Sequence, residues 1–142
     1  MRIDLPYDTK TVPLTIGEHN LEKIVISHIS EVSGEGTQEE MVRRALEWPV
    51  GTPRLRELAR GKKRVVLVTS DHTRAVPSKI TLPILLAEIR AGNPDAEITI
   101  LIATGLHRET TREEQIRMFG SEIVERERIV VNRAFEKDEF VS

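Results

Sequence analysis

Apolar residues fall along the chain in short blocks set off by polar and turn-forming clusters, and the spacing within each block separates strands from helices. The first fourteen residues alternate around Asp8-Thr9-Lys10, with Ile3 and Leu5 before it and Val12 and Leu14 after it. That pattern predicts a hairpin with Pro6 and Pro13 near its edges. Ile24-Val25-Ile26 reads as a further short strand, and Ser33-Gly34-Glu35-Gly36 breaks the pattern. Thr37 and Glu40 then have capping-box spacing, and Met41, Val42, Ala45, Leu46 and Trp48 form a helical stripe that Pro49 stops. A second short helix is expected from Leu55 to Ala59, beyond Gly51-Thr52-Pro53.

The centre of the chain carries two largely apolar runs, Val65-Val66-Leu67-Val68 and Ile98-Thr99-Ile100-Leu101-Ile102, which suit strands buried on both faces. Between them Ile84, Leu85, Leu86, Ala87 and Ile89 cluster over a helical length, and Gly92-Asn93-Pro94 supplies a stop. Strand, crossover helix and strand make a right-handed βαβ unit with parallel strands. Thr111 and Glu114 cap a further helix through Ile116 and Phe119, ended by Gly120, and Ile129-Val130-Val131 is a last strand. The expected fold is α/β: a Rossmann-like parallel sheet with flanking helices and an N-terminal hairpin, forming one domain over residues 1–142.

Composition narrows the function classes. Apolar residues make up 39% and charged residues 31%, the balance of an ordinary globular chain. A formal charge of −2, with basic residues scattered among acids, argues against nucleic-acid or anionic-lipid partners. The absence of cysteine removes disulfides, thiolate metal sites and cysteine nucleophiles. Neither a signal-peptide core nor an apolar stretch of about 18 residues is present, which points to a cytoplasmic protein. No residue period marks a repeat architecture.

In a parallel sheet, ligands gather at the carboxyl ends of the strands, where loops converge and following helices present their positive ends. The first central strand runs into Thr69-Ser70-Asp71-His72-Thr73-Arg74, and the second into Ala103-Thr104-Gly105-Leu106-His107-Arg108. Asp71 and Arg74 read either as a local ion pair or a turn with an Asp cap, or as a ligand-binding pair in which Arg74 grips a carboxylate or phosphate bidentately. His107 reads either as a surface histidine or as a proton-exchanging imidazole, with Gly105 beside it allowing close backbone approach to a ligand. His72 lies inside the loop, whereas His19 and His28 are incidental. Neither His72 nor His107 belongs to a metal-spacing pair, so no complete metal site is expected. Gly34-Glu35-Gly36 is better read as linker than as a dinucleotide fingerprint, and no P-loop occurs. Trp48 is better explained as core or interface than as a stacking platform.

Ser70 to Lys79 (Ser-Asp-His-Thr-Arg-Ala-Val-Pro-Ser-Lys) together with Ile102 to Arg108 (Ile-Ala-Thr-Gly-Leu-His-Arg) resembles the N-terminal domain of the lactate racemase family. Leu5-Pro6-Tyr7, Trp48-Pro49-Val50-Gly51-Thr52-Pro53 and Thr110-Thr111-Arg112-Glu113-Glu114 are similar to that family in the same order. The resemblance implies the N-terminal part of a longer two-domain 2-hydroxyacid racemase. Its implied cofactor is a nickel-pincer pyridinium mononucleotide that takes a hydride from the substrate and returns it to either face. By the same resemblance Asp71, His72, Thr73 and Arg74 contact the cofactor, Arg74 also binds substrate, and His107 is an acid/base residue. The cofactor tether, the nickel-binding histidine and the second acid/base histidine would lie beyond Ser142, in a missing C-terminal portion, so this chain alone would be inactive. The chain departs from the family pattern at Ala75, where Pro is usual, and at Asn132-Arg133-Ala134, where Asn-His-Asp is common. Two other classes stay open on the residues alone: a non-catalytic small-molecule or anion-binding module, and an interaction domain that docks by an apolar surface.

Overall fold

At the N-terminus the alternating segment pairs with itself. Strands β1 (Arg2–Tyr7) and β2 (Lys10–Thr15) run antiparallel, with Tyr7 opposite Lys10 and Arg2 opposite Thr15. Asp8 turns the chain at φ +53, a left-handed conformation that the short side chain of Asp tolerates. The structure is a computed structural model describing residues 1–136, and its chain divides into two compact units, Met1–Ser33 and Gly34–Ser142. The hairpin belongs to the first. Ile24-Val25-Ile26, expected as a strand, has no regular structure, and Val25 is 84% exposed. Strand preference expresses itself only against a paired neighbour, and none of the described residues pairs with these three.

The second unit opens with α1 (Gln38–Glu47). Its capping box is formed as the spacing predicts: the Thr37 hydroxyl accepts from Glu40 N–H at 3.2 Å, and Thr37 N–H donates to Glu40 Oε2 at 2.7 Å. Trp48, just past its end, is 79% exposed and so does not belong to the core of the described chain. Helix α2 (Leu55–Ala59) follows and lies against α3 (Ser78–Gly92). Asn93 ties the ends of these helices together, its amide donating to the carbonyls of Ala59 and Lys62 at 3.0 and 2.8 Å. Glu88 of α3 accepts two hydrogen bonds from Arg56 of α2 at 2.8 and 2.6 Å.

Strands β3 (Arg64–Ser70), β4 (Glu97–Ala103) and β5 (Arg128–Val131) form a parallel sheet in the order β3-β4-β5. Helices α4 (Arg112–Phe119) and α5 (Ser121–Arg126) connect the last two strands, with Gly120 at φ +90 breaking one helix from the next. The α5 helix was not expected from the sequence. Leu82, Leu86 and Ile89 of α3, Phe119 of α4 and Ile123 and Val124 of α5 all pack on one sheet face, against Ile98, Ile100 and Ile102. Val65, Leu67, Ile129 and Val131 complete that face.

Burial on both faces, expected for the central strands, is not what these residues show. The opposite face carries Val66 at 56% and Val68 at 67% exposure, with Val130 at its margin. The reason is topological. The strands step one way across the sheet, β3 to β4 to β5, and right-handed crossovers then put every connecting helix on the same side.

Candidate functional site

The parallel register brings the ends of β3 and β4 level, Ser70 opposite Ala103, so the loops that follow emerge side by side. Asp71 is 2% exposed and accepts from three donors. Thr73 gives its N–H and its hydroxyl to Oδ1 at 3.1 and 2.7 Å, and His107 Nδ1 lies 2.6 Å from Oδ2. The second loop is shaped to deliver that histidine. His107 N–H donates to the Thr104 carbonyl at 3.0 Å across a turn in which Gly105 has φ +57. Nothing crowds the position a Cβ would take on Gly105, so it is the backbone angle that calls for glycine there. Thr104 is itself buried, its hydroxyl donating to the Asn132 carbonyl at 2.8 Å beyond the end of β5.

Burial pushes the Asp71 carboxyl up, but the hydrogen bonds from Thr73 and His107 outweigh it and hold the group down to about 2. Asp71 is therefore ionised near neutral pH and can only accept, so the shared proton sits on His107 Nδ1. In the neutral imidazole Nε2 then carries the lone pair, and the side chain is 45% exposed, open to a ligand. This is an oriented base at a strand end, of the kind that moves protons when a bound hydroxyl lies within reach.

His72, the next residue, faces the other way. Its Nδ1 lies 3.3 Å from the Thr110 hydroxyl and 3.7 Å from Glu114 Oε2. Glu114 closes the α4 capping box, accepting Thr111 N–H at 2.9 Å, and Arg108 clamps it with bonds of 2.9 and 2.7 Å. Those Arg108 hydrogen bonds, with the Thr111 N–H, hold its carboxyl down to about 2. Their spacing alone marks Thr111 and Glu114 only as a helix cap. That the same carboxylate anchors the His107-Arg108 loop and faces His72 emerges only in the fold. A Thr-x-x-Glu box directly after a chemistry-bearing loop is the one local signal that could have pointed to it.

Arg74 N–H bonds the Asp71 carbonyl at 3.3 Å, closing the turn, but Asp71 is not its ion-pair partner. Among the described residues the exposed Arg74 guanidinium has no side-chain hydrogen bond or ion pair. Arg133 pairs with Glu109 at 3.2 Å and shares with His107 a hollow of about 310 Å³. A larger hollow of about 500 Å³ lies among α3, α4 and α5, away from these loops and without a histidine in its wall. His28 meets only Glu31 of its own unit, at 2.9 Å. Among the described residues no three His, Cys, Asp or Glu side chains come together as a metal cage, and no helix is long and apolar enough to cross a membrane.

The second unit is thus a parallel α/β domain with Asp71, His72, Thr73 and His107 gathered at the carboxyl ends of adjacent strands. The chain belongs to the lactate racemase N-terminal domain family, whose model matches residues 7–142. It is 46% identical over 130 residues to a lactate racemase of Thermoanaerobacterium thermosaccharolyticum and 44% identical over 130 residues to one of Lactiplantibacillus plantarum. Each alignment covers 92% of this chain but only 30% and 31% of those relatives. The lactate racemase apoprotein structure from T. thermosaccharolyticum superposes with a TM-score of 0.81 at 43% identity, over 97% of this chain and 31% of that one. The chain therefore spans less than a third of the length of these relatives.

Proposed function

We propose that this chain is the N-terminal, proton-handling part of a longer cytoplasmic two-domain enzyme that racemises a 2-hydroxyacid of the lactate type. The observation that carries the reading is the 2.6 Å bond between the buried Asp71 carboxylate and His107 Nδ1, which leaves Nε2 free to accept a proton. In the reaction Nε2 removes the proton of the substrate's α-hydroxyl, because an alkoxide gives up a hydride from its carbon far more readily than an alcohol does. The imidazolium that forms is stabilised by Asp71 and returns the proton at the end of the cycle. Arg74, exposed and without a side-chain partner among the described residues, grips the substrate carboxylate in its planar fork and holds the α-carbon in register with His107.

The donor set tests whether these residues suit the implied nickel-pincer pyridinium mononucleotide. Asp71 and His107 are engaged with each other, and no described cluster offers three metal donors, so the loops do not form a cage for the metal. They do fit the organic, anionic part: Thr73 and Arg74 are exposed at the rim, with His72 half-buried beside them. His72, Thr73 and Arg74 would hold that group while Asp71, buried beneath them and bonded to Thr73, fixes the loop, and when bound the group supplies the hydride acceptor that no protein side chain can provide. The remaining donors, and the second acid/base residue that a two-faced reaction needs, would come from the rest of the longer protein, leaving this chain alone inactive.

The test is racemisation of one lactate enantiomer, followed by chiral analysis, in the full-length, cofactor-loaded protein and its His107→Ala variant. The variant is expected to fold, with an unchanged circular dichroism spectrum, and to lose turnover. A variant that racemises at the parental rate would remove His107 from the reaction.

A further inference from the structure

The sheet is half-dressed. Its helix-covered face is closed by α3, α4 and α5, while Val66 and Val68 stand exposed on the other. The parallel register puts Val66 opposite Thr99, and Val68 opposite Leu101, which in turn is opposite Val130. All five therefore point to the same side; Arg64, Glu97 and Arg128 share that side at the amino ends of the strands, and toward the carboxyl ends Val66, Val68, Leu101 and Val130 leave an apolar patch. A sheet face meant for water alternates apolar-in with polar-out, whereas the carboxyl-end half of this one is apolar on both sides, as parallel sheets covered on both faces are. Among the described residues β3 pairs only with β4, so one edge of β3 is also free.

Handedness says what fits there. Steps from β3 to β4 and from β4 to β5 run in one direction, and their right-handed connections lie on the helix-covered face. A connection that leaves β5 and returns to the far side of β3 runs in the opposite direction, and the same handedness lays its helix on the open face. We infer that, in the full-length protein, the segment following residue 142 lays an apolar helix over Val66, Val68, Leu101 and Val130 and adds a parallel strand to the free edge of β3. This rests on the proposed reading that the protein continues as its relatives do, this chain covering only 30% and 31% of them. The added strand would extend the sheet on the side of β3 away from β4, so the strand order reverses at β3. The carboxyl end of β3 then becomes the switch point where α/β sheets open a ligand crevice, and the loop that occupies it is Asp71 to Arg74.

The experiment uses the full-length protein. Val68→Cys and a control, Glu125→Cys on the exposed surface of α5, are treated with a maleimide and the labelled peptides are quantified by mass spectrometry. The thiol introduced in Val68→Cys is expected to react about a hundredfold more slowly than the control, as a site reached only by local unfolding does. Hydrogen exchange of the unmutated protein gives a second readout, independent of whether the variant folds: the β3 amides that face away from β4 should be protected as well as those that face it. Labelling at the control rate, or fast exchange along that edge, in a protein whose intact mass matches its longer relatives overturns the inference and leaves the proposed function standing. Protection that vanishes on dilution to monomer assigns the face to a second copy of the chain and likewise overturns it. An intact mass that ends near residue 142 overturns both this inference and the reading it rests on.

Discussion

Replacing Asp71 by Asn changes one atom and should invert the histidine beside it. In the parent, Oδ1 accepts from Thr73 N–H and hydroxyl, and Oδ2 accepts from His107 Nδ1. An Asn can keep its oxygen toward Thr73 only by turning its NH2 toward Nδ1, where it must donate. Flipping the amide instead sets NH2 against the Thr73 N–H, a donor that cannot reverse. His107 therefore rebinds as the other tautomer, with its proton on Nε2, the atom that in the proposed reaction accepts one from the substrate. Loss of a hydrogen bond to a charged group costs about 1.5–3 kcal/mol. Wrong-tautomer losses in histidine-based catalysis reach about 10⁴ in turnover, larger than the bond alone accounts for. Turnover in Asp71→Asn is accordingly expected to fall by on the order of 10⁴, with a much smaller change in KM. The assay is initial-rate racemisation of the full-length enzyme, with ¹⁵N chemical shifts of the His107 ring reporting the tautomer. Turnover within about threefold of the parent would refute the reasoning, since losing a base in the correct tautomer costs at least the 10²-fold typical of general-base contributions.

Two further outcomes follow from the geometry. Asp71 and Glu114 both have carboxyls held down to about 2, so the stability they confer is fully present above their ordinary values near 4 and is lost as pH falls toward 2. The urea midpoint should drop between about pH 5 and pH 2, and the drop should be shallower in Asp71→Ala and Glu114→Ala than in the parent; identical profiles would show that the pairing contributes nothing. Gly92→Ala would place a methyl group against the backbone carbonyl of Arg56, which cannot swing aside, so α2 and α3 must separate. The expected cost is about 1–3 kcal/mol, read as a lowered urea midpoint, and an unchanged midpoint would mean that the helices do not meet so closely.

How legible all this was depended on whether a signal was local. The Thr37/Glu40 and Thr111/Glu114 boxes located two helix starts because a cap is a contact within four residues. Gly92-Asn93-Pro94 marked the end of α3 for the same reason, though not that the Asn93 amide would hold α2 as well. The two site loops could be paired in advance because a βαβ unit makes its strand ends neighbours, and Asp71 and His107 do meet. What could not be read were relations between distant parts. Ile24-Val25-Ile26 has strand composition without a described partner strand. Helix α5 has only Ile123 and Val124 as its apolar pair and no side-chain cap. Val66 and Val68 look like doubly buried residues because a short apolar run has the composition of a strand covered on both faces, whereas which face the helices cover is set by the crossovers and not by the run itself. Arg108 and Glu114, six apart and on opposite sides of a helix start, fit neither helical nor strand periodicity.

Asp71 and His72 are consecutive, yet one reaches toward His107 and the other toward Thr110 and Glu114. Their connection to the sheet is therefore a matter of parity. Inserting a single residue between Ser70 and Asp71 would carry the carboxylate into the place of the imidazole, against Glu114, and would leave His107 facing whatever residue was added. The length of this short stretch therefore matters to the site as much as the identity of its side chains.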